Sequence, residues 1–363
     1  MKMIPDQLED IDISWLNLAL ADSFPGVQIA GFTVEKNLEV TNHHVHLQLD
    51  YHESAEAPSK MFCKFLPCEP ERREKIANTH MGLREARFYK ELAPTLAADM
   101  RIPEIYCARF NVQDDSFVLL MESITASGCS ISDGTQTVPL DSAARALEEL
   151  GLLHLKFQDA GVRGREIPWL TEQLFNGGHR NKYAPTMIAD GLKNHRDKLS
   201  AGFIELSEIY LKSTQVLHDH WAKGPKTLIH GDVHIGNLFD DHGHVGFLDW
   251  GIISVGTPIR DLSYFLIMSL STEDRRKHQT HLIKHYLDVI NSNGGFSIDF
   301  DDAWRGHQLH AAYGVPACCQ IVTFPENATE QRKIFANAFL DRVQNAIEDL
   351  EVVDAIKKLG DIS

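Results

Sequence analysis

The chain has 363 residues, 43% of them hydrophobic and 24% charged, proportions of a folded globular protein that exclude a disordered or fibrous one. Its 35 Lys and Arg stand against 51 Asp and Glu, a formal charge of −16 that repels polyanions and leaves no basic stripe for nucleic acid or an anionic membrane. No run of about 18 apolar residues occurs and the acid-bearing N-terminus does not fit a signal peptide, so a cytoplasmic location is expected.

Taken in chain order, residues 5 to 24 carry Leu8, Ile11, Trp15, Leu18 and Leu20 at helical spacing and predict an amphipathic helix. "HVHLQLDY" alternates Val45, Leu47, Leu49 and Tyr51, and "KMFCKFLP" alternates Met61, Cys63 and Phe65, so both read as strands around a turn. Residues 69 to 92 then turn helical, with Glu85, Phe88, Tyr89 and Leu92 on one stripe, which puts a carboxylate on the buried face. "EIYCARFNV" and "SFVLLMES" predict two more strands joined by "QDD".

A loop rich in Ser, Thr and Gly follows Glu122, and beyond it most of the chain reads as helix. Residues 141 to 160 begin with Asp141 as N-cap and direct Ala144, Leu147, Leu150, Leu153 and Leu155 to a core. Further helical patterns occupy roughly 186 to 222, 273 to 293, 301 to 314 and 328 to 358. The expectation is an α+β protein with a sheet-rich N-terminal lobe, residues 1 to 122, and a larger, mainly helical C-terminal lobe, residues 123 to 363. The six cysteines, Cys63, Cys68, Cys107, Cys129, Cys318 and Cys319, lack the C-x-x-C spacing of zinc sites and read as reduced thiols, most of them packing residues.

Residues 230 to 251, "HGDVHIGNLFDDHGHVGFLDWG", concentrate histidines, aspartates and an asparagine among apolar runs. "NLF" and "HVGFL" flank "DDHG", a four-residue turn with glycine, and predict a β-hairpin with Asn237 and Asp249 at one end and Asp232 on the preceding loop. Their oxygens are hard ligands suited to Mg²⁺, whereas a zinc centre would prefer His and Cys. His242 and His244 flank the turn at the opposite end and read as solvated turn residues, and His234 has no assignment.

The order H-G-D-x-x-x-x-N, followed after a hairpin by D-x-G, resembles the catalytic and metal-binding loops of the aminoglycoside phosphotransferase and choline kinase superfamily, relatives of the protein kinases. The resemblance implies a bilobal protein-kinase-like fold with an antiparallel sheet in the first lobe. It makes Asp232 the catalytic base, Asn237 and Asp249 the Mg²⁺ ligands and His230 a structural residue of the loop. Lys64 is similar in placement to the superfamily's phosphate-binding Lys and Glu85 to its ion-pair partner, with Lys60 and Glu91 as weaker substitutes. Met121 and Glu122 would meet the nucleotide base, and Asp261 resembles an acid that supports the catalytic loop. "RFYKELAP", "PWLTEQ", "TLIHGDVHIGNLF" and "FLDWG" look closest to the ecdysteroid-kinase-like branch. One departure concerns the phosphate loop, because "EKNLEVTNHHVH" has no glycine and leaves Thr41 and Asn42 as candidate donors.

The activity so implied is transfer of the γ-phosphate of ATP, with Mg²⁺, to a hydroxyl of a small molecule. A protein kinase fits poorly, since the ten residues from Gly251 to Arg260 leave no room for an activation segment. A stretch from 303 to 324 mixes Trp304, His307, His310 and Tyr313 with apolar residues and no acids; it reads either as core or as the lining of a pocket for an apolar alcohol. Choline or another amino alcohol, or an antibiotic, are the alternative acceptors. A non-catalytic nucleotide-binding pseudokinase is the alternative of another class.

Overall fold

The computed structural model describes residues 2–39, 41–53, 56–170, 179–322, 329–360 and 362. The chain divides into two compact units, the first formed by residues 1–131, 239–242 and 246–252, the second by residues 132–238, 243–245 and 253–363.

In the first unit the N-terminal helix is shorter than its apolar spacing predicts and runs over Ile13–Leu20. Asp12 stops it, because its side chain accepts the Trp15 amide hydrogen bond at 2.6 Å and so caps the helix instead of continuing it. Five strands follow: β1 (Ile29–Glu39), β2 (His43–Tyr51), β3 (Lys60–Phe65), β4 (Ile105–Phe110) and β5 (Phe117–Glu122). They form one antiparallel sheet in the order β1-β2-β3-β5-β4. The period-two alternation is realised as expected, with Val45, Leu47 and Leu49 of β2 and Met61, Cys63 and Phe65 of β3 buried in one cluster with Trp15, Leu16 and Leu20 of the helix.

The stretch from 69 to 92 is not one helix. It divides into Pro70–Ala77 and Met81–Arg87, separated by His80 at φ 57°, and ends in the π-helical turn Phe88–Leu92. A left-handed residue cannot carry the α-helical ladder onward, so the break falls there. The predicted stripe survives the break, and Glu85, Phe88, Tyr89 and Leu92 are all buried.

Beyond the sheet, β6 (Ser130–Ile131) pairs with β8 (Leu238–Asp241) of the predicted hairpin, Ser130 opposite Asp240. The second unit holds the antiparallel pair β7 (Thr227–Ile229) and β10 (Ser254–Gly256), and β9 (His244–Phe247) completes the hairpin strands. Its first long helix, Leu140–Lys156, has Pro139 at the N-cap, so Asp141 lies within the first turn rather than capping it. The buried face is Ala143, Ala146, Leu147, Leu150 and Leu153 together with His154, while Ala144 and Leu155 are half-buried. The pattern from 186 to 222 becomes two helices, His179–Asn194 and Ala201–Trp221, because Ser200 caps the second by accepting the Phe203 amide. Pro258–Ser269 is the central helix, buried at every position except Tyr264 and packed against Leu140–Lys156, Thr272–Ile290, Phe300–Ala311 and Glu330–Asp349. Among the described residues no helix is long and apolar enough to cross a membrane.

Candidate active site

The predicted residues form two groups, one in each unit. In the first, Lys64 lies on the central strand β3 opposite His44 and Leu119, and its Nζ contacts Glu85 Oε2 at 2.6 Å and Asp249 Oδ1 at 3.4 Å. Lys64 and Glu85 are 5% and 3% exposed, so their charges are withdrawn from water and each depends on the other. Burial works against the ammonium, but the carboxylates of Asp249 and Glu85 outweigh it and keep Lys64 protonated. Burial also pushes the Glu85 carboxyl up, to about 7, although Lys64 opposes the rise. The Asp249 side chain is 43% exposed.

Aromatic packing fixes Asp249. Trp250 stacks on Phe88, one turn beyond Glu85, with ring centroids 4.1 Å apart, and its indole N–H donates to the Phe247 carbonyl at 3.2 Å. Asp249 itself adopts φ 55°. Gly251 follows because a Cβ there would lie 3.2 Å from the Met81 carbonyl and 3.4 Å from Asp249 Oδ1.

On β5, Met121 is buried, and Glu122 gives its carboxylate to Arg101 at 2.6 and 2.9 Å and to the Glu104 amide at 3.1 Å. Burial acts against that charge, yet Arg101 and the Glu104 amide hold the carboxyl below its ordinary range. Arg101 also reaches Asp241 at 2.6 Å. The weaker substitutes have other partners: Lys60 is exposed and pairs with Glu35 at 2.6 Å, and Glu91 pairs with Arg87 at 3.2 Å. Thr41 is exposed; Asn42 is buried, and among the described residues its Oδ1 has no hydrogen-bond partner.

In the second unit, Asp261 organises the H-G-D loop. Its Oδ2 accepts from the His230 amide at 2.7 Å and its Oδ1 from the Gly231 amide at 2.9 Å, and Nε2 of the wholly buried His154 lies 3.3 Å from Oδ2. Burial alone would raise the Asp261 carboxyl, but His154 and the loop amides outweigh it and hold it low. Gly231 sits at φ 84°, a conformation that a side chain would strain. His230 Nδ1 accepts the Asp232 amide at 3.2 Å, which turns the chain back at the aspartate.

Asp232 and Asn237 then meet directly. The Asn237 side-chain amide donates to the Asp232 carbonyl at 2.9 Å and to its Oδ2 at 3.3 Å. Oδ1 of Asp232 accepts from the Tyr264 hydroxyl at 3.1 Å. His234 accepts the Gly236 amide at 3.0 Å, and its ring packs edge-on against Phe339, so it shapes the turn that leads to Asn237. His242, at φ 51°, and the exposed His244 flank the hairpin turn as expected.

Tyr264 and His154 were not legible as site residues. Tyr264 stands three residues after Asp261 on a helix with no local signal of its partner, and His154 reads as one more position of a leucine-rich helix. The stretch from 303 divides: His307 and His310 are wholly enclosed in helix packing, while Trp304 and Tyr313 are half-buried. Its end, beyond 322, lies outside the described residues, as does the end of "PWLTEQ".

Comparison with known proteins supplies the family. The sequence model of the ecdysteroid kinase-like family matches residues 40–293, more than half of the chain. The chain belongs to the ecdysteroid kinase-like family. Comparison with curated proteins finds no match. Among solved structures the ecdysteroid kinase-like chain is similar to a choline kinase from Cryptosporidium parvum Iowa II, at 10% identity and TM-score 0.56, covering 94% of this chain and 98% of the other. It is also similar to a putative aminoglycoside phosphotransferase from Ralstonia eutropha, at 12% identity and TM-score 0.53, with coverage of 94% and 98%. A choline kinase from Streptococcus pneumoniae matches at 12% identity and TM-score 0.51, with coverage of 93% and 98%. Family and fold are those of small-molecule kinases, and the α+β architecture expected from the sequence is the one observed.

Proposed function

We propose that this chain is an ATP-dependent phosphotransferase that moves the γ-phosphate to a hydroxyl of a small molecule. The observation that carries the reading is the setting of Asp232, on a loop whose amides are gathered by buried Asp261, with one carboxylate oxygen bonded to Tyr264 and the other to Asn237. Such a carboxylate is held in one orientation while keeping capacity to accept a hydrogen bond from an acceptor hydroxyl. As the acceptor oxygen bonds to the γ-phosphorus and the bond to the bridging oxygen of ADP breaks, the hydroxyl proton passes to Asp232.

Lys64, kept cationic by Glu85 and Asp249, supplies the positive charge for the nucleotide phosphates. Asn237 and Asp249 are the residues that would hold Mg²⁺; their donors are hard oxygens, as this ion requires, and when bound it neutralises phosphate charge. Because the Glu122 carboxylate is committed to Arg101, recognition of the base by Met121 and Glu122 falls to the backbone of β5. In this reading residues 1–122 form the nucleotide-binding lobe, residues 123–363 carry the catalytic loop and the acceptor-binding region, and the enzyme works in the cytoplasm, where ATP and magnesium are supplied. Half-buried Tyr264, whose hydroxyl bonds Asp232, places an aromatic ring beside the carboxylate, which suits an acceptor of apolar character.

The test is release of ADP from Mg·ATP with a panel of sterol-like alcohols, amino alcohols, sugars, aminoglycosides and macrolides. Transfer by the wild type and its loss, by about 10²- to 10⁴-fold, in Asp232→Ala with nucleotide affinity retained is the expected result. No transfer to any acceptor, or undiminished transfer in Asp232→Ala, overturns it.

A further inference from the structure

Three ligand-type side chains that the phosphotransfer reading does not use meet at the end of the sheet where β1 leads into β2. Glu39 ends β1, His43 begins β2, and Cys68 follows β3. One ligand atom from each lies within 4.8 Å of the other two. His43 Nδ1 is 3.0 Å from Cys68 Sγ and 3.7 Å from Glu39 Oε1, and the Cys68 amide donates to Glu39 Oε1 at 3.0 Å.

The hydrogen bonds orient these atoms toward a common point. The other ring nitrogen of His43, Nε2, is bonded to Asn37 Oδ1, which can only accept, so Nε2 carries the hydrogen and Nδ1 presents its lone pair to Cys68 and Glu39. This is the arrangement by which a second residue fixes the tautomer and ring angle of a metal-ligating histidine. His43 is buried with its ring against Phe65, centroids 4.6 Å apart, so it cannot swing away. Arg72 lies 3.5 Å from Oε2 of Glu39, while Oε1 is the oxygen in contact with Cys68 and His43.

We propose that Glu39, His43 and Cys68 form a zinc site with three protein ligands and one position left to water. Nitrogen, sulfur and a single carboxylate oxygen match the preference of Zn²⁺, whereas Mg²⁺ and Ca²⁺ require oxygen throughout. On binding, the Cys68 thiol gives up its proton to solvent, and the thiolate with the Glu39 carboxylate balances the two positive charges of the ion. Glu39 and Cys68 are both partly exposed, so an ion has a path of entry. The site would tie together the two strands that flank residues 41 and 42, where a Gly-rich loop is missing, and would hold that connection against the segment after β3.

Zinc added to chelator-stripped full-length protein tests the site without reference to any activity. Retention of one zinc per chain after gel filtration is expected, as is a thiolate-to-metal absorption band when Co²⁺ replaces zinc. Cys68→Ser should abolish the band, and Cys68→Ser and His43→Gln should each weaken zinc binding at least about ten-fold. For a readout that does not depend on a variant folding, zinc should protect Cys68 of the wild type from iodoacetamide, followed by peptide mass spectrometry. Zinc that is not retained, binds Cys68→Ser as tightly as the wild type, or leaves labelling of Cys68 unchanged overturns the proposal and reduces the cluster to a thiol hydrogen-bonded to an imidazole.

Discussion

The indole of Trp250 lies parallel to the ring of Phe88, with centroids 4.1 Å apart and planes 9° from one another. Phe88 stands three residues after Glu85 and Trp250 directly follows Asp249, so one stacked pair sets the spacing of the two carboxylates that share Lys64. Trp250→Ala should remove about 3 to 5 kcal/mol of stability, as truncation of a large buried aromatic does. Trp250→Phe, which keeps a stackable ring, should lose much less in thermal or urea melts and retain more activity than any non-aromatic replacement.

Glu85→Gln should cost up to about 3 kcal/mol, because it sets a neutral amide against the buried Lys64 ammonium and leaves the more distant, partly exposed Asp249 to balance the charge. The double variant Lys64→Met with Glu85→Leu removes both charges and should recover much of that stability while remaining inactive. Urea denaturation of the single and double variants reads the coupling; equal stability of Glu85→Gln and wild type would contradict the buried pair.

Asp261→Asn keeps the size of a side chain that gathers two loop amides and lies beside His154, but not its charge. Hydrogen bonds to a charged group contribute about 1.5 to 3 kcal/mol, so stability should fall within that range. Turnover should fall by a larger factor than the KM for ATP rises, because the amides that Asp261 gathers, those of His230 and Gly231, directly precede Asp232. Tyr264→Phe should likewise lower kcat with the KM for ATP retained, since its hydroxyl bonds Asp232 alone among the assigned residues.

Acid should destabilise the protein through His307 and His310, whose imidazoles burial holds down to about 3. An unfolded histidine takes up a proton near pH 6.5 while these two remain neutral in the fold. Their contribution is therefore whole above pH 6.5 and is lost as pH falls toward 3, by up to about 1.4 kcal/mol per pH unit for each. His307 is bonded to Ser263 at 2.8 Å, and His307→Gln should flatten the decline in melting temperature between pH 6.5 and 5 relative to wild type. An unchanged slope would show that His307 titrates alike in both states.

Local pattern placed the candidate residues on their elements, and the resemblance carried by H-G-D-x-x-x-x-N and D-x-G singled them out. Lys64 falls on an alternating strand, Glu85 on a helical stripe with Phe88, Tyr89 and Leu92, and Asp232, Asn237 and Asp249 within one short segment, so each could be placed before any contact was known. What pattern does not encode is the side on which an isolated residue finds its partner. His154 reaches Asp261 across 107 residues, and Tyr264 reaches Asp232 across 32. Cys68 looked like one unpaired thiol among six because its neighbours Glu39 and His43 belong to other strands, brought near by sheet register rather than by spacing. Helix ends failed for a local reason: Asp12, His80 and Ser200 interrupt apolar periodicities that continue beyond them.

The first unit is assembled from separate stretches of chain, residues 1–131 and the hairpin pieces 239–242 and 246–252. A fragment ending at 131 would lack Asp249, Trp250 and Asp241, so Lys64 would keep Glu85 but lose its second carboxylate, Phe88 would lose its stacking partner and Arg101 would keep Glu122 but lose Asp241. Exchange of this unit between relatives therefore requires two inserts, and the hairpin must travel with the sheet rather than with the helices that surround it in sequence.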